Sequence, residues 1–139
     1  NYPDRFDQGG YTSICDMTNL ITNLPKEIKE YLKNESFTIV ANNILKGKGA
    51  KHYHGPLLQE FEDGSFSFRF SYNFTQVLVD DYRFLSIRDM VVDYYNENKV
   101  VIKIPHNGLL LFKNHICLHA RTDITDTNRS LYRIYIKSS

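Results

Sequence analysis

An excess of charge of either sign is missing from this 139-residue chain: 17 Lys and Arg against 16 Asp and Glu leave a formal net charge of +1. A nucleic-acid surface ordinarily carries a basic excess or stripe, so that class is set aside. Long apolar runs are missing too. The longest, Leu109 to Phe112, suits one strand and falls far short of the roughly 20 residues of a membrane helix. The residues after Asn1 lack the make-up of a signal peptide. Cysteine is scarce: Cys15 and Cys117 stand far apart with no Cys-x-x-Cys spacing. That argues against a disulfide framework and for a reducing, cytoplasmic setting. The three Asn-x-Ser/Thr sequons at Asn34, Asn73 and Asn128 are then coincidental. No repeat and no Gly/Ser/Pro-rich linker divides the chain, so residues 1–139 are expected to form one domain.

What is present is a pattern of short strands with two helices inserted. Leu24 to Asn34 predicts a helix, because Pro25 suits a first turn and Leu24, Ile28, Tyr31 and Leu32 share one face. Asp80 to Asn98 predicts a second, with Phe84, Ile87, Val91 and Tyr94 inward and Tyr94 and Tyr95 as packing residues. Strands are expected over Tyr11 to Cys15, Ser36 to Ala41, Tyr53 to Phe61 and Ser65 to Tyr72, the last two joined by a hairpin turn at Glu62, Asp63 and Gly64. Three more follow at Val100 to Ile104, Leu109 to Leu118 and Ser130 to Ile136. With no βαβ alternation, the fold class is mainly β with inserted helices, an antiparallel sandwich or jelly roll.

The chemistry concentrates near the C-terminus. Strand alternation puts His115, Cys117, His119 and Arg121 on one face. On the last strand Arg129, Leu131, Arg133, Tyr135 and Lys137 share a face, and Arg129 and Arg133 lie roughly 13 Å apart along it, room for two anionic groups. A histidine and two guanidiniums in one lumen suit a non-haem Fe(II) site, in which two His and one carboxylate leave open positions. An arginine fork then binds a carboxylate in a bidentate, directional way.

The segments Gly108 to Asn114, Leu118 to Thr122, Asp126 and Arg129 to Ile136 resemble the TauD/clavaminate synthase-like dioxygenases. The likeness is strongest to the clavaminate synthase branch, through His119-Ala120-Arg121-Thr122 and the Arg-x-Leu-x-Arg ending. Upstream, Gly9 to Met17 and Leu24 to Leu32 resemble that family's Gly-Gly-x-Thr strand and following helix, and His54 to Pro56 and Asn73 to Thr75 agree more loosely. The resemblance implies a double-stranded β-helix (jelly roll), here incomplete, using Fe(II) and the co-substrate 2-oxoglutarate. Molecular oxygen and a small acidic or amino-acid-like molecule would be the other reactants. It implies that His119 is the distal iron-binding histidine. It also implies that Arg129 pairs with the far carboxylate of 2-oxoglutarate, that Thr12 shares that carboxylate, and that Arg133 faces the primary substrate. Arg121 and Thr122 would shape the turn after the ligand strand, with Asp126 ordering the loop.

One departure stands out. The family carries a His-x-Asp or His-x-Glu pair upstream of its Gly-Gly-x-Thr strand. None of His52, His54, His106, His115 and His119 is followed two positions later by Asp or Glu. The chain is therefore expected to be the C-terminal portion of a longer enzyme, inactive alone, and an opening on Asn1 instead of Met fits that.

Rival readings remain. His52 and His54 on one strand face, with Glu60 and His119, would give a cupin-type metal site complete within the chain. A non-catalytic module could use Arg129 and Arg133 to hold an anion without iron. Ten Tyr and nine Phe could simply fill a β core.

Overall fold

The computed structural model describes residues 10–40, 52–72, 75–76, 81–105 and 107–122, together with 134 and 136. In chain order the elements are β1 (Tyr11–Asp16), α1 (Thr18–Asn23), α2 (Lys26–Asn34), β2 (Phe37–Ile39), β3 (Tyr53–Gly55), β4 (Leu58–Glu60) and β5 (Phe66–Phe68). Then follow β6 (Thr75–Gln76), α3 (Tyr82–Asn98), β7 (Val100–Lys103) and β8 (Cys117–Arg121). They make a three-stranded sheet in the order β7-β1-β8, a second in the order β3-β2-β6, and the β4-β5 hairpin. The pairings are antiparallel. The fold is thus mainly β with few helices; its described sheets are small and open, without the closure of a complete jelly roll.

Local chemistry explains most element ends. Asp16 Oδ1 accepts from the Thr18 backbone N–H at 2.8 Å and starts α1, a six-residue helix that sequence periodicity misses. Pro25 keeps Leu24 extended and separates α1 from α2. Leu24, just ahead of α2, and Tyr31 and Leu32 within it are buried, with Ile28 packed beside them, as the spacing predicts. The turn between β4 and β5 also forms as expected. Gly64 takes φ +80°, a left-handed value suited to glycine, and Asp63 Oδ1 accepts from the Ser65 N–H at 2.9 Å.

The expected strands Tyr53 to Phe61 and Leu109 to Leu118 come out differently, and a third falls mostly outside the described residues. The stretch Tyr53 to Phe61 is broken into β3 and β4 at Pro56, which has no N–H to donate to a ladder. Leu109 to Leu118 is not one strand: only Cys117 onward pairs, for reasons given below. Ser130 to Ile136 lies outside the described residues except for Ile134 and Ile136, both exposed.

Phe37 sits where the elements meet. Only 1% exposed, its ring is 5.5 Å from that of Tyr31 on α2 and 5.7 Å from that of Phe84 on α3. Phe84, Ile87 and Val91 form the buried face of α3, while Tyr94 and Tyr95 are partly buried against the same core.

A polar link joins the two longer helices. Asp81 caps α3 by accepting from the Arg83 N–H at 2.9 Å, and the Tyr31 hydroxyl donates to its other oxygen at 2.8 Å. The Arg83 guanidinium also bonds Asp81 and lies 4.4 Å from the Tyr31 ring centroid. Arg83 first, then Tyr31, pull the Asp81 carboxyl down to a pKa of about 2. An unfolded Asp titrates near about 3.9, so the folded state holds fewer protons between those values. The Asp81 contribution is therefore complete above about pH 4 and lost as the pH falls through about 2. In a urea series across that window, Asp81→Ala should be less stable than the parent at pH 6. The difference should shrink towards pH 2; a constant gap would show that the Asp81 charge has no part in stability.

Candidate active site

The β7-β1-β8 sheet carries the site. Opposite residues on antiparallel strands project to one side, and the register pairs Ile14 with His119 and Thr12 with Arg121. On the other flank Ile14 pairs with Val100 and Thr12 with Ile102. One face therefore holds three rows, Asp16-Cys117, Val100-Ile14-His119 and Ile102-Thr12-Arg121. The opposite face belongs to the core. There the Ser13 hydroxyl lies 2.6 Å from the Tyr95 hydroxyl, pinning α3 to β1, and Cys15 is buried opposite Leu118. The helix backs the sheet on the Ser13 side, away from His119.

The geometry brings together Thr12 and His119, two residues whose roles the family resemblance implied. Thr12 is only 4% exposed, and His119 is half-buried. The end of the ladder is fixed by a reciprocal pair: the Tyr11 N–H donates to Thr122 Oγ1 at 3.0 Å, and the Thr122 N–H donates to the Tyr11 carbonyl at 3.1 Å. Thr122 thus closes the strand, in keeping with the expected turn-shaping role. Arg121 lies on the His119 face, as strand alternation predicts, directly across from buried Thr12; it is the last residue of β8 and not part of the turn after it. Arg129, Arg133 and Asp126 lie outside the described residues.

Two turns set the approach to β8. Asn107 adopts φ +60°, and the Gly108 N–H donates to the Pro105 carbonyl at 2.9 Å. A Cβ on Gly108 would lie 2.7 Å from Pro105 Cδ, so glycine is required by close approach. Further on, the Lys113 carbonyl accepts from both Ile116 and Cys117 N–H groups, at 3.2 and 3.0 Å. Between the turns, Phe112 places its ring 5.3 Å from that of His119. The same turn removes His115 from the expected strand face, leaving it exposed.

A non-haem iron centre needs two histidines and a carboxylate. Among the described residues, no group of three or more His, Cys, Asp or Glu could hold a metal ion. Across the sheet, the row neighbours of His119 are Ile14 and Val100, neither of them a donor. By themselves the described residues do not fit iron.

The cupin-type alternative fails on topology. His52 and His54 have ring centroids 6.3 Å apart, but β3 belongs to the β3-β2-β6 sheet and His119 to the other. His54 Nδ1 is 3.0 Å from Thr38 Oγ1 of its own sheet, and Glu60 accepts from Lys33 at 3.0 Å. The four residues His52, His54, Glu60 and His119 form no common cluster. An open surface hollow lined by Lys33, Tyr53, Pro56, Leu58, Gln59 and Glu60 shares no residue with the His119 face.

Cys15 and Cys117 are free thiols, as expected. Burial first, then the Asp16 charge, pushes both thiols up, which disfavours the nucleophilic thiolate. No described helix is long and apolar enough to cross a membrane.

The sequence matches the taurine catabolism dioxygenase TauD, TfdA family over residues 3–135. No curated protein sequence matches it. Similar solved structures include two of asparagine oxygenase. One is asparagine oxygenase in complex with Fe(II), 2S,3S-3-hydroxyasparagine and succinate, at 15% identity and a TM-score of 0.65, covering 89% of this chain and 38% of that one. The other is asparagine oxygenase (AsnO), at 16% identity and a TM-score of 0.61, covering 89% of this chain and 36% of that one. At such identities the likeness is one of fold, and this chain spans less than two-fifths of either. Members of the TauD family use Fe(II) and 2-oxoglutarate. With nearly its whole length matched, the chain belongs to the TauD/TfdA family of dioxygenases.

Proposed function

We propose that residues 1–139 are the C-terminal portion, one domain, of a cytoplasmic Fe(II)/2-oxoglutarate-dependent oxygenase. The reaction would be hydroxylation, or a related oxidation, of a small acidic or amino-acid-like substrate by molecular oxygen, coupled to 2-oxoglutarate decarboxylation. One observation carries this reading: Thr12 and His119 share the sheet face turned away from α3. On this reading the open β7-β1-β8 sheet is one half of an incomplete jelly roll.

The chain's own residues would bind and orient. His119 supplies one iron ligand, and the other two come from outside these residues, because no His-x-Asp or His-x-Glu pair occurs in them. Thr12 donates its hydroxyl to the far carboxylate of 2-oxoglutarate and Arg129 adds a bidentate, charge-assisted pair. Arg133 takes an acidic group of the primary substrate. The asparagine oxygenase likeness makes an amino acid a reasonable first substrate to screen.

The test is succinate release by the full-length protein supplied with Fe(II) and 2-oxoglutarate. His119→Ala should abolish it, while His52→Ala and His54→Ala leave it intact; the reverse pattern would move the metal to β3. The 139-residue chain alone should release none. A second reading, an anion-binding module, draws on the missing three-ligand group; it predicts carboxylate binding unaffected by iron.

A further inference from the structure

We propose that Tyr95 is a positioning residue for the Thr12/His119 face: its hydroxyl, relayed through Ser13, holds β8 in place behind the site. The functional consequence rests on the oxygenase reading; the tether itself is read from geometry. The Tyr95 and Ser13 hydroxyls lie 2.6 Å apart, and the Ser13 hydroxyl donates to the Ala120 carbonyl at 3.4 Å. A serine hydroxyl has one proton and two lone pairs, so with its proton on Ala120 it accepts from Tyr95. Donors then run in one direction, from α3 through β1 to β8. The Tyr95 hydroxyl also reaches the Ser13 carbonyl at 3.3 Å.

The point of attachment ties the tether to the site. Ser13 pairs with Ala120, and the flanking pairs are Thr12 with Arg121 and Ile14 with His119. The tether thus grips β1 and β8 from the back of the sheet, between the Thr12 and His119 rows, which stand about 6.6–6.8 Å apart. A one-residue slip of β8 would turn His119 to the other face, and a smaller shift would change its distance from Thr12. Among the described residues β8 pairs with β1 alone, so a hold from outside the ladder counts. The far end is firm. Tyr95 follows Val91 by one helical turn, on the side of α3 that packs on the core. The Lys99 N–H donates to the Tyr95 carbonyl at 2.9 Å, and the Lys99 ammonium lies 5.5 Å from the Tyr95 ring centroid. Packing alone needs no hydroxyl; Tyr95 has one and directs it at the strand pair that carries the site.

The experiment uses the full-length protein with Tyr95→Phe, Ser13→Ala and the double variant, and Tyr94→Phe as the matched control. Amide hydrogen exchange is read in β7 and β8 without metal, and the 2-oxoglutarate KM from succinate release with Fe(II). Tyr95→Phe should speed exchange of β8 amides by roughly two- to tenfold and raise KM by a similar factor, the worth of one hydrogen bond. The β7 amides should not change, and neither readout should move in Tyr94→Phe. Because the two hydroxyls act as one relay, Ser13→Ala should match Tyr95→Phe and the double variant should add little. Equal acceleration in β7 and β8 would mark Tyr95 as a general packing residue and overturn the proposal. So would unchanged β8 exchange, or faster β8 exchange with an unchanged KM. If the parent releases no succinate, the oxygenase reading falls and exchange alone decides: acceleration confined to β8 sustains the tether, and any other pattern overturns it.

Discussion

Replacing Arg129 with alanine is expected to raise the 2-oxoglutarate concentration needed for half-maximal turnover of the full-length enzyme by roughly ten- to hundredfold. A hydrogen bond to a charged group contributes about 1.5–3 kcal/mol, and a bidentate arginine–carboxylate pair sits at the strong end of that range. Each 1.4 kcal/mol or so is a factor of about ten. Lysine should rescue poorly, since a point charge does not reproduce the planar fork. Saturation by the primary substrate should change little. Arg133→Ala should show the opposite split, with the primary substrate requirement raised more than that for 2-oxoglutarate. Unchanged 2-oxoglutarate saturation in Arg129→Ala would remove Arg129 from the site.

The largest effect on stability is expected at Phe37. Its ring, 1% exposed, joins Tyr31 of α2 to Phe84 of α3 at centroid distances of 5.5 and 5.7 Å. Truncation to alanine removes the buried ring and leaves a cavity, a change that costs about 3–5 kcal/mol. Against a typical total of about 5–15 kcal/mol this is a large share. With a urea m-value of about 1–3 kcal/mol/M, the midpoint should fall by at least about 1 M. Should Phe37→Ala fail to fold, Phe37→Leu keeps most of the volume and should cost under about 1.5 kcal/mol. A midpoint unchanged in both variants would mean that Phe37 lies outside the core.

Local signals made part of this architecture legible. The faces of α2 and α3 follow from Tyr31 and Leu32 and from Phe84, Ile87 and Val91, and Gly64 marked the β4-β5 turn. The misreading of Leu109 to Leu118 is also physical. The first turn rests on Asn107 and Gly108, and the second on one carbonyl, that of Lys113, accepting two N–H groups. No glycine or proline announces it. The six residues of α1 are too few for a helical period to declare itself.

The site divides the same way. His119 and Thr12 were read from motif resemblance, and the β1–β8 register puts them on one face. Strand alternation put Arg121 on the His119 face, but strand pairing is nonlocal: nothing within residues 117–122 says that Thr12 will lie opposite. The same limit misled the cupin-type reading, since His54 lies in a different sheet from His119 and His52 just ahead of its strand.

The most direct test is a crystal structure of the full-length protein grown with Mn(II) and 2-oxoglutarate, with the metal located by its anomalous signal. Manganese is expected on His119, with two further protein ligands from outside residues 1–139 and the far carboxylate of 2-oxoglutarate at Thr12. Manganese on His52 and His54, or none near His119, would contradict the assignment.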